Sequence, residues 1–148
     1  MNPLRLINAA LIALVPVTSA FALDFRSVAD TGTVFYRLPS TASSRLAVAS
    51  RFYPVEVVLQ EKNWARVRDV RGEMGWVEVS HLSTRATVIV TAPRTTLRRE
   101  PADAASALLV AVKDVALEVQ GAPEAGWVKV RYNDRITGFV RLSDVWGI

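Results

Sequence analysis

Two short stretches of the chain combine an aromatic side chain with cations at alternate positions. They read "NWARVRD" (63–69) and "GWVKVRY" (126–132). Their chemically useful side chains are Trp64, Arg66 and Arg68 in the first and Trp127, Lys129 and Arg131 in the second. An indole ring offers apolar contact and a face for cations, and a guanidinium binds carboxylates through paired hydrogen bonds. The pattern predicts a shallow groove for an extended, carboxylate-bearing ligand.

Catalytic and metal chemistry have little to work with in this sequence. The chain has no cysteine and a single histidine, His81, so thiol nucleophiles and thiolate metal sites are excluded. A serine triad would need His81, and no "G-x-S-x-G" turn supports one. Histidine and carboxylates do not occur at metal-ligand spacing. The sequence therefore predicts a protein that is not an enzyme and holds no cofactor or metal, with a hydrolase using His81 as a remote alternative.

The tryptophan stretches belong to an internal repeat. "EKNWARVRDVRGEMGWVEVSHL" (61–82) aligns without a gap on "EAGWVKVRYNDRITGFVRLSDV" (124–145). Upstream, "RLPSTASSRL" (37–46) faces "REPADAASAL" (99–108). Two copies of a unit of roughly 60 residues follow the first 22 residues, and we place them at 24–83 and 85–147.

Each copy has the pattern of a small all-β domain. "LLVAVKDVALEVQ" (108–120) contains two short alternating runs, Val110 with Val112 and then Val115 to Val119, separated by a polar turn. The tryptophan stretch, another turn and a strand opening with glycine follow in both copies. Several short strands at regular spacing predict a small barrel or sandwich.

Alternation along a strand assigns each side chain to a face. In the first tryptophan strand, Ala65 and Val67 should face inward, and Trp64 outward with its arginines. The second copy should place Val128 and Val130 inward and Trp127 outward. In the last strand Val77 and Val79 should pack inward, which leaves Trp76 outside. We therefore do not expect the tryptophans to be central core residues.

Two hypotheses explain a tryptophan on the outer face. In the first, Trp64 forms an aromatic floor together with Tyr36 and Trp76, and Arg66 and Arg68 line its rim. In the second, Trp64 covers an open end of its own barrel or seals the contact between the repeats, and the arginines only keep the surface soluble. The sequence leaves both open.

The order of these motifs resembles that of the bacterial SH3 domain family. The matching pieces are "GWVKVR" (126–131), "GWVEVSHL" (75–82) and "GFVRLSDV" (138–145), with "TTLRREPA" (95–102) and "TVFYRLPS" (33–40) echoing the opening of the family's motif. Leu38 and Glu100 stand where the family favours glycine, and Tyr36 replaces its arginine in the first copy. The resemblance implies two tandem small SH3-like barrels with a binding or scaffolding role.

Recognition of proline-rich peptides is not expected. SH3 domains that bind such peptides use a proline and a tyrosine after the glycine of the last strand. The corresponding residues are Glu78 and His81 in the first copy and Arg141 and Asp144 in the second.

The charge of the chain is mildly basic. Its formal net charge is +4 at pH 7, far below the charge density of a dedicated nucleic-acid binder, so we expect no nucleic-acid partner. Arginines cluster at 94–99 and 66–71. The clusters could form a surface for an anionic polymer or be ordinary solvated side chains, and the second interpretation is favoured.

The first 22 residues have the pattern of a signal peptide. Arg5 precedes the apolar stretch "LINAALIALVPV" (6–17), and "TSAFA" supplies small residues for cleavage after Ala22. The rival interpretation, an uncleaved membrane anchor, needs about 20 apolar residues, and Pro16 interrupts the run. We expect export to the periplasm or the extracellular space, with no stable membrane insertion after cleavage.

The sequence thus predicts an exported tandem binding module of the cell envelope. Its favoured partner is a cell-wall peptide, or a separate wall enzyme to which the module is an accessory, because bacterial SH3 domains often accompany cell-wall hydrolases. The alternative is a structural protein that binds another envelope protein through an open sheet edge, with the strands of 108–120 as candidates. The ligand's identity and the oligomeric state stay open.

Overall fold

Short strands of alternating burial make up most of the computed structural model, which describes residues 23–148. The proposed signal peptide, residues 1–22, lies outside the described residues. In the first repeat the strands are β1 (Asp24–Val28), β2 (Thr33–Tyr36), β3 (Arg45–Ala49), β4 (Pro54–Glu61), β5 (Trp64–Arg68), β6 (Met74–Glu78) and β7 (Leu82–Ser83). In the second repeat they are β8 (Thr87–Val90), β9 (Arg94–Arg98), β10 (Ala107–Val112), β11 (Ala116–Val119), β12 (Trp127–Tyr132), β13 (Ile136–Arg141) and β14 (Val145–Trp146).

The two repeats have the same strand order. The first sheet runs β3-β2-β6-β5-β4-β1-β7 and the second β10-β9-β13-β12-β11-β8-β14, with antiparallel pairing throughout. A 3₁₀ turn precedes the last strand of each repeat, at Val79–His81 and Leu142–Asp144. The predicted all-β fold with two tandem small domains is confirmed. In residues 23–148 no helix is both long and apolar enough to cross a bilayer.

Each repeat has its own apolar core, formed by the inward residues of the alternating strands. Ala65 and Val67 of β5 and Val77 of β6 are almost completely buried in the first core. Val128 and Val130 of β12 occupy the equivalent positions in the second core. The predicted inward face of the tryptophan strands is therefore confirmed.

Strand β10 departs from the expected pattern. Val110 and Val112 do alternate, but their side chains face solvent, with 52% and 55% exposed, and Ala111 between them is buried. Within residues 23–148, β10 and its counterpart β3 pair on one side only, because each lies at the edge of its sheet. Alternation gives the period of a strand but does not say which of its two faces is buried. In β10 both faces carry apolar residues, so the sequence did not assign Val110 and Val112 to a face.

Aromatic, polar and backbone contacts join the repeats. The rings of Phe25 in β1 and Trp146 in β14 meet edge to face, with centroids 5.0 Å apart. The Ser27 hydroxyl donates to the Arg85 carbonyl oxygen at 2.8 Å, and the Arg85 guanidinium forms an ion pair with Glu118. The connecting residue Arg85 is thereby held from both sides.

Candidate functional site

Three aromatic side chains share the outer face of the first repeat. Tyr36 of β2 lies directly opposite Trp76 of β6, and Trp76 lies opposite Arg66 of β5. Trp64 stands two residues before Arg66 on the same face, and its ring meets that of Tyr36 edge to face at 5.7 Å. All three aromatic residues are partly exposed. Tyr36, Trp64 and Trp76, which we call the aromatic surface, are thus brought together as the sequence predicted.

Charged groups of both signs border the aromatic surface. Arg66 is exposed and forms no salt bridge within residues 23–148, whereas Glu78 lies opposite Trp64 on β6. Beside Tyr36 and Glu78 is a hollow of about 220 Å³ that Asp30 and His81 also line. The surface can therefore contact apolar, anionic and cationic parts of a ligand.

His81 lies between two carboxylates. Its Nδ1 is 3.7 Å from Asp30 Oδ2, and its Nε2 is 3.7 Å from Glu78 Oε2. In the described part of the chain no serine hydroxyl hydrogen-bonds to His81, and no group of three histidine or acidic side chains is placed to hold a metal ion. The surroundings of His81 give no geometric support to the hydrolase alternative.

The repeated arginine has a structural partner in both repeats. Arg68 forms an ion pair with Glu56 on the neighbouring strand β4, and its Nε donates to Glu56 Oε2 at 2.9 Å. In the second repeat, Arg131 Nη2 donates to Glu118 Oε2 at 2.9 Å across the equivalent strand pair. Both glutamates have most of their side chain buried. The two arginines that were predicted to hold a ligand carboxylate are thus already paired, each with a glutamate carboxylate of its own repeat.

The pKa of Glu118 reflects this arrangement. Burial alone would raise the pKa of its carboxyl, but hydrogen bonds from Arg131 and Arg85, together with their positive charges, outweigh burial and hold the pKa below its ordinary value. The same contact raises the pKa of the Arg131 guanidinium. The glutamate therefore stays ionised in the folded protein at neutral pH.

The second repeat does not expose an equivalent aromatic surface. Trp127 has the outward position on β12, but only 8% of the residue is exposed, and the guanidinium carbon of Arg141 lies 4.9 Å from its ring centroid. Arg141 is in turn paired with Asp103. The predicted outward position of Trp127 is found, but its ring is covered, and an arginine of the following strand lies over it.

The remaining positions of this face are also changed. Arg98 stands where the first repeat has Tyr36, and it lies opposite Phe139, the counterpart of Trp76. Lys129 is exposed, and its Nζ is 6.0 Å from the Phe139 ring centroid. The face is therefore basic, and aromatic in one exposed position only.

Trp146 contributes an aromatic ring to the contact between the repeats, against Phe25, and sequence reasoning missed it. Trp64 is partly exposed and its ring contacts Tyr36 of its own repeat, so this contact gives no support to a role for Trp64 between the repeats. Trp146 has no counterpart in the first repeat, where Ser83 follows Leu82. An unrepeated aromatic residue was the available signal, because a contact made once between two copies needs residues that are not duplicated.

Known protein structures with a similar shape were found. They include NlpC2 from Trichomonas vaginalis (13% identity, TM-score 0.37, 84% of this chain and 48% of that chain) and NlpC1 from the same organism (14%, 0.36, 93% and 50%). A third is an NlpC/P60 family protein from Bacillus cereus ATCC 10987 (14%, 0.35, 82% and 55%). The chain spans about half the length of these proteins. None of the curated proteins compared with the chain matches it.

A family comparison agrees with the doubled motif. The model of the bacterial SH3 domain matches residues 29–84 and again residues 91–147, one match in each repeat. These matches cover more than half of the chain, and the resemblance predicted from the sequence is confirmed. The chain is a member of the bacterial SH3 domain family, with two copies of the domain in tandem.

Proposed function

We propose that this protein is an exported, non-enzymatic binding module of the cell envelope that holds the peptide stems of the cell wall on the aromatic surface of its first repeat. The fold alone does not assign this role, because one fold can carry many functions. The observation that carries the proposal is the partly exposed group Tyr36, Trp64 and Trp76. Beside it lies Arg66, which forms no salt bridge within residues 23–148.

The ligand class follows from the side chains around the aromatic surface. Wall stem peptides are extended and carry carboxylates, amines and small apolar side chains. Arg66 can donate hydrogen bonds to a carboxylate, while the carboxylates of Glu78 and Asp30 at the neighbouring hollow can accept hydrogen bonds from an amine. The partly exposed rings supply the apolar contact between these two ends.

A pull-down with purified peptidoglycan tests the proposal. We expect the wild-type protein to sediment with the wall, and Trp64→Ala and Trp76→Ala each to weaken the association about tenfold, as loss of a central aromatic contact does. Phe139→Ala, which removes the counterpart of Trp76 in the second repeat, is the matched control and should bind like the wild type. Circular dichroism establishes that each variant is folded.

Two outcomes would contradict the proposal. Absence of wall binding by the folded wild-type protein would remove the ligand class altogether. Equal binding by the wild type and the Trp64→Ala and Trp76→Ala variants would leave the wall as ligand but remove the aromatic surface as its site.

A second candidate function is supported by strand β10. Its free edge carries Val110 and Val112, and the strand from Ala107 to Val112 has no charged residue or proline, the usual protections of an exposed edge. A structural protein that accepts a strand from another envelope protein would have such an edge. Strand β11, the other half of 108–120, lies between β8 and β12 and cannot serve.

Cross-linking in intact cells separates this candidate from wall binding. If β10 binds a partner strand, Val110→Lys should abolish a cross-linked protein adduct that the wild type forms. Val58→Lys is the matched control, because Val58 is 53% exposed on β4, which has neighbours on both sides. An adduct unchanged by Val110→Lys would exclude the edge.

A further inference from the structure

A cleft of about 600 Å³ lies between the two repeats, away from the aromatic surface. Its first wall is formed by the edge strand β3 with residues 69–71, and its second wall by residues 89–91 with the turn at 113–114. Phe35, Ala49 and Ile89, all buried residues, contribute to its lining. Ligand sites commonly have this size and occur preferentially between domains.

Two cations reach the cleft from opposite walls. Lys113 comes from the second repeat, is exposed and forms no salt bridge in the described residues. Arg71 comes from the first repeat, and 73% of its side chain is exposed. Its Nε and Nη2 each lie 3.5 Å from Asp69 Oδ2, a long contact, and within residues 23–148 Arg71 forms no other salt bridge. Lys113 is therefore available to a ligand, and the exposed guanidinium of Arg71 can bind a ligand carboxylate in addition to its long contact with Asp69.

The buried carboxylate of the cleft is already satisfied. Asp69 Oδ1 accepts hydrogen bonds from the backbone N–H groups of Arg71 at 2.9 Å and Glu73 at 2.8 Å, which fixes the turn between β5 and β6. Asp114, next to Lys113, is the other acidic residue of the lining and is exposed. The lining of the cleft therefore carries two positive and two negative charges, which suits a peptide that bears both carboxylates and an amine.

The pKa of Tyr53, which lines the cleft, depends on charged groups of both repeats. Burial raises the pKa of Tyr53, and the carboxylates of Asp69 and Asp114 raise it further, although Arg71 and a hydrogen bond with the backbone of Val70 act in the opposite direction. Asp114 belongs to the second repeat and the others to the first. Charged groups from both walls therefore influence the same neutral hydroxyl group, that of Tyr53.

We propose that this cleft is a second ligand site, in which Arg71 and Lys113 hold the carboxylate of an extended peptide while its apolar side chains lie against the lining of Phe35, Ala49 and Ile89. Because the proposed function makes wall stems the ligand class, the peptide is taken to be a stem peptide. The anchoring cations differ from those predicted by the sequence. Arg68 and Arg131 form close ion pairs with Glu56 and Glu118, whereas Arg71 has only its long contact with Asp69 and Lys113 forms no salt bridge within residues 23–148. Neither repeat alone could form the site.

A titration with defined peptides tests the proposal. The probe is synthetic L-alanyl-γ-D-glutamyl-L-lysyl-D-alanine, and the control probe is the same peptide with both carboxylates converted to amides. Binding is followed in ¹⁵N-labelled protein through the backbone amides of Ser50, Thr91 and Lys113 and the indole N–H groups of Trp64 and Trp76. We expect the carboxylate peptide to shift the amides of the cleft, and the amidated peptide to bind more weakly.

Charge-removing variants measure the role of the two cations. Arg71→Ala and Lys113→Ala should each weaken binding about three- to fivefold, and the double variant about tenfold or more, as expected for partly exposed ion pairs. Arg71→Ala keeps the backbone N–H that Asp69 needs, so the turn is retained. Arg135→Ala, an exposed arginine in the corresponding turn of the second repeat, is the control for net charge.

The outcomes separate the cleft from the proposed function. Shifts at the cleft that the double variant weakens, with Arg135→Ala unchanged, support the cleft. Shifts confined to the indole N–H groups, or equal affinity for the double variant, overturn the cleft and leave the aromatic surface as the stem site. No shift at either place overturns both. Cleft shifts with silent indoles support the cleft and contradict the role of the aromatic surface.

Discussion

The glycine within the last long strand of each repeat, Gly75 in β6 and Gly138 in β13, gives a sharp test of the packing. A Cβ added at Gly138 would lie 2.8 Å from the carbonyl oxygen of Arg98 and 3.1 Å from Leu108 Cδ1. A Cβ added at Gly75 would meet Phe35 Cβ at 3.2 Å, with the next atom at 3.7 Å. The obstacle at Gly138 is a backbone oxygen of the adjacent strand β9 at 2.8 Å, a distance too short for a Cβ to tolerate, whereas the obstacle at Gly75 is the Cβ of Phe35 at the longer distance of 3.2 Å.

We therefore expect Gly138→Ala to destabilise the protein much more than Gly75→Ala. Overpacking against backbone costs about 1–3 kcal/mol of the free energy of unfolding. At Gly75 a shift of a few tenths of an ångström relieves the contact, and the reduced freedom of the unfolded chain offsets about 0.4–1 kcal/mol. The net effect at Gly75 should lie within about 0.5 kcal/mol of zero.

Urea denaturation followed by circular dichroism measures both free energies of unfolding. The wild type, Gly75→Ala and Gly138→Ala should unfold with the same dependence on denaturant, and only the last should have a clearly lower midpoint. A Gly75→Ala variant as destabilised as Gly138→Ala would refute the reasoning, because it would mean that distance to a backbone atom does not decide the cost.

Three further predictions concern stability. Trp146→Ala removes the aromatic contact between the repeats and should cost about 2–3 kcal/mol, with a broader or biphasic calorimetric transition; a single sharp transition would show that other contacts suffice. Because the folded pKa of Glu118 is lowered from its ordinary value of 4.5, its stabilisation should be complete above about pH 5 and lost as the pH falls through the folded pKa, so the wild type should approach Glu118→Gln on acidification. Asn133 and Asp134 both have positive φ, 49° and 56°, so Asp134→Gly should raise the free energy of unfolding by about 0.5 kcal/mol, and a lower midpoint would contradict this.

The fold could be predicted from the sequence because its signals are local and doubled. Alternation around Ala65 and Val67 set the inward face of a strand, and the gapless second copy made the same statement at Val128 and Val130. Alternation at Val110 and Val112 indicated a strand but not which of its faces is buried. The position of β10 at the edge of its sheet could not be predicted either, because it depends on pairing between distant strands.

The candidate site could be predicted only in part. Tyr36, Trp64 and Trp76 come together as their strand register requires. Whether an outward side chain is open or covered depends on the residue opposite it on the next strand: Glu78 stands opposite Trp64, but Arg141 stands opposite Trp127 and covers it. A repeat viewed as two equal copies hides such a difference.

The cleft could not be predicted from the sequence, because its walls belong to different repeats. Their relative placement is set by contacts that occur once in the chain, such as Phe25 with Trp146 and Ser27 with Arg85. Periodic motifs carry no information about contacts of that kind.

Arg141, which lies over Trp127, limits the number of open aromatic surfaces that one chain can offer to a polymer. Under the proposed function, one open aromatic surface per chain gives one attachment of this kind to a many-stemmed wall, separate from binding in the cleft. Arg141→Ala would expose Trp127 as a second aromatic contact on the same chain, and paired attachment can raise avidity by about 10²–10⁴ when the spacing fits. Under the proposed function, the Arg141 side chain thus affects how readily the protein exchanges between sites on the wall.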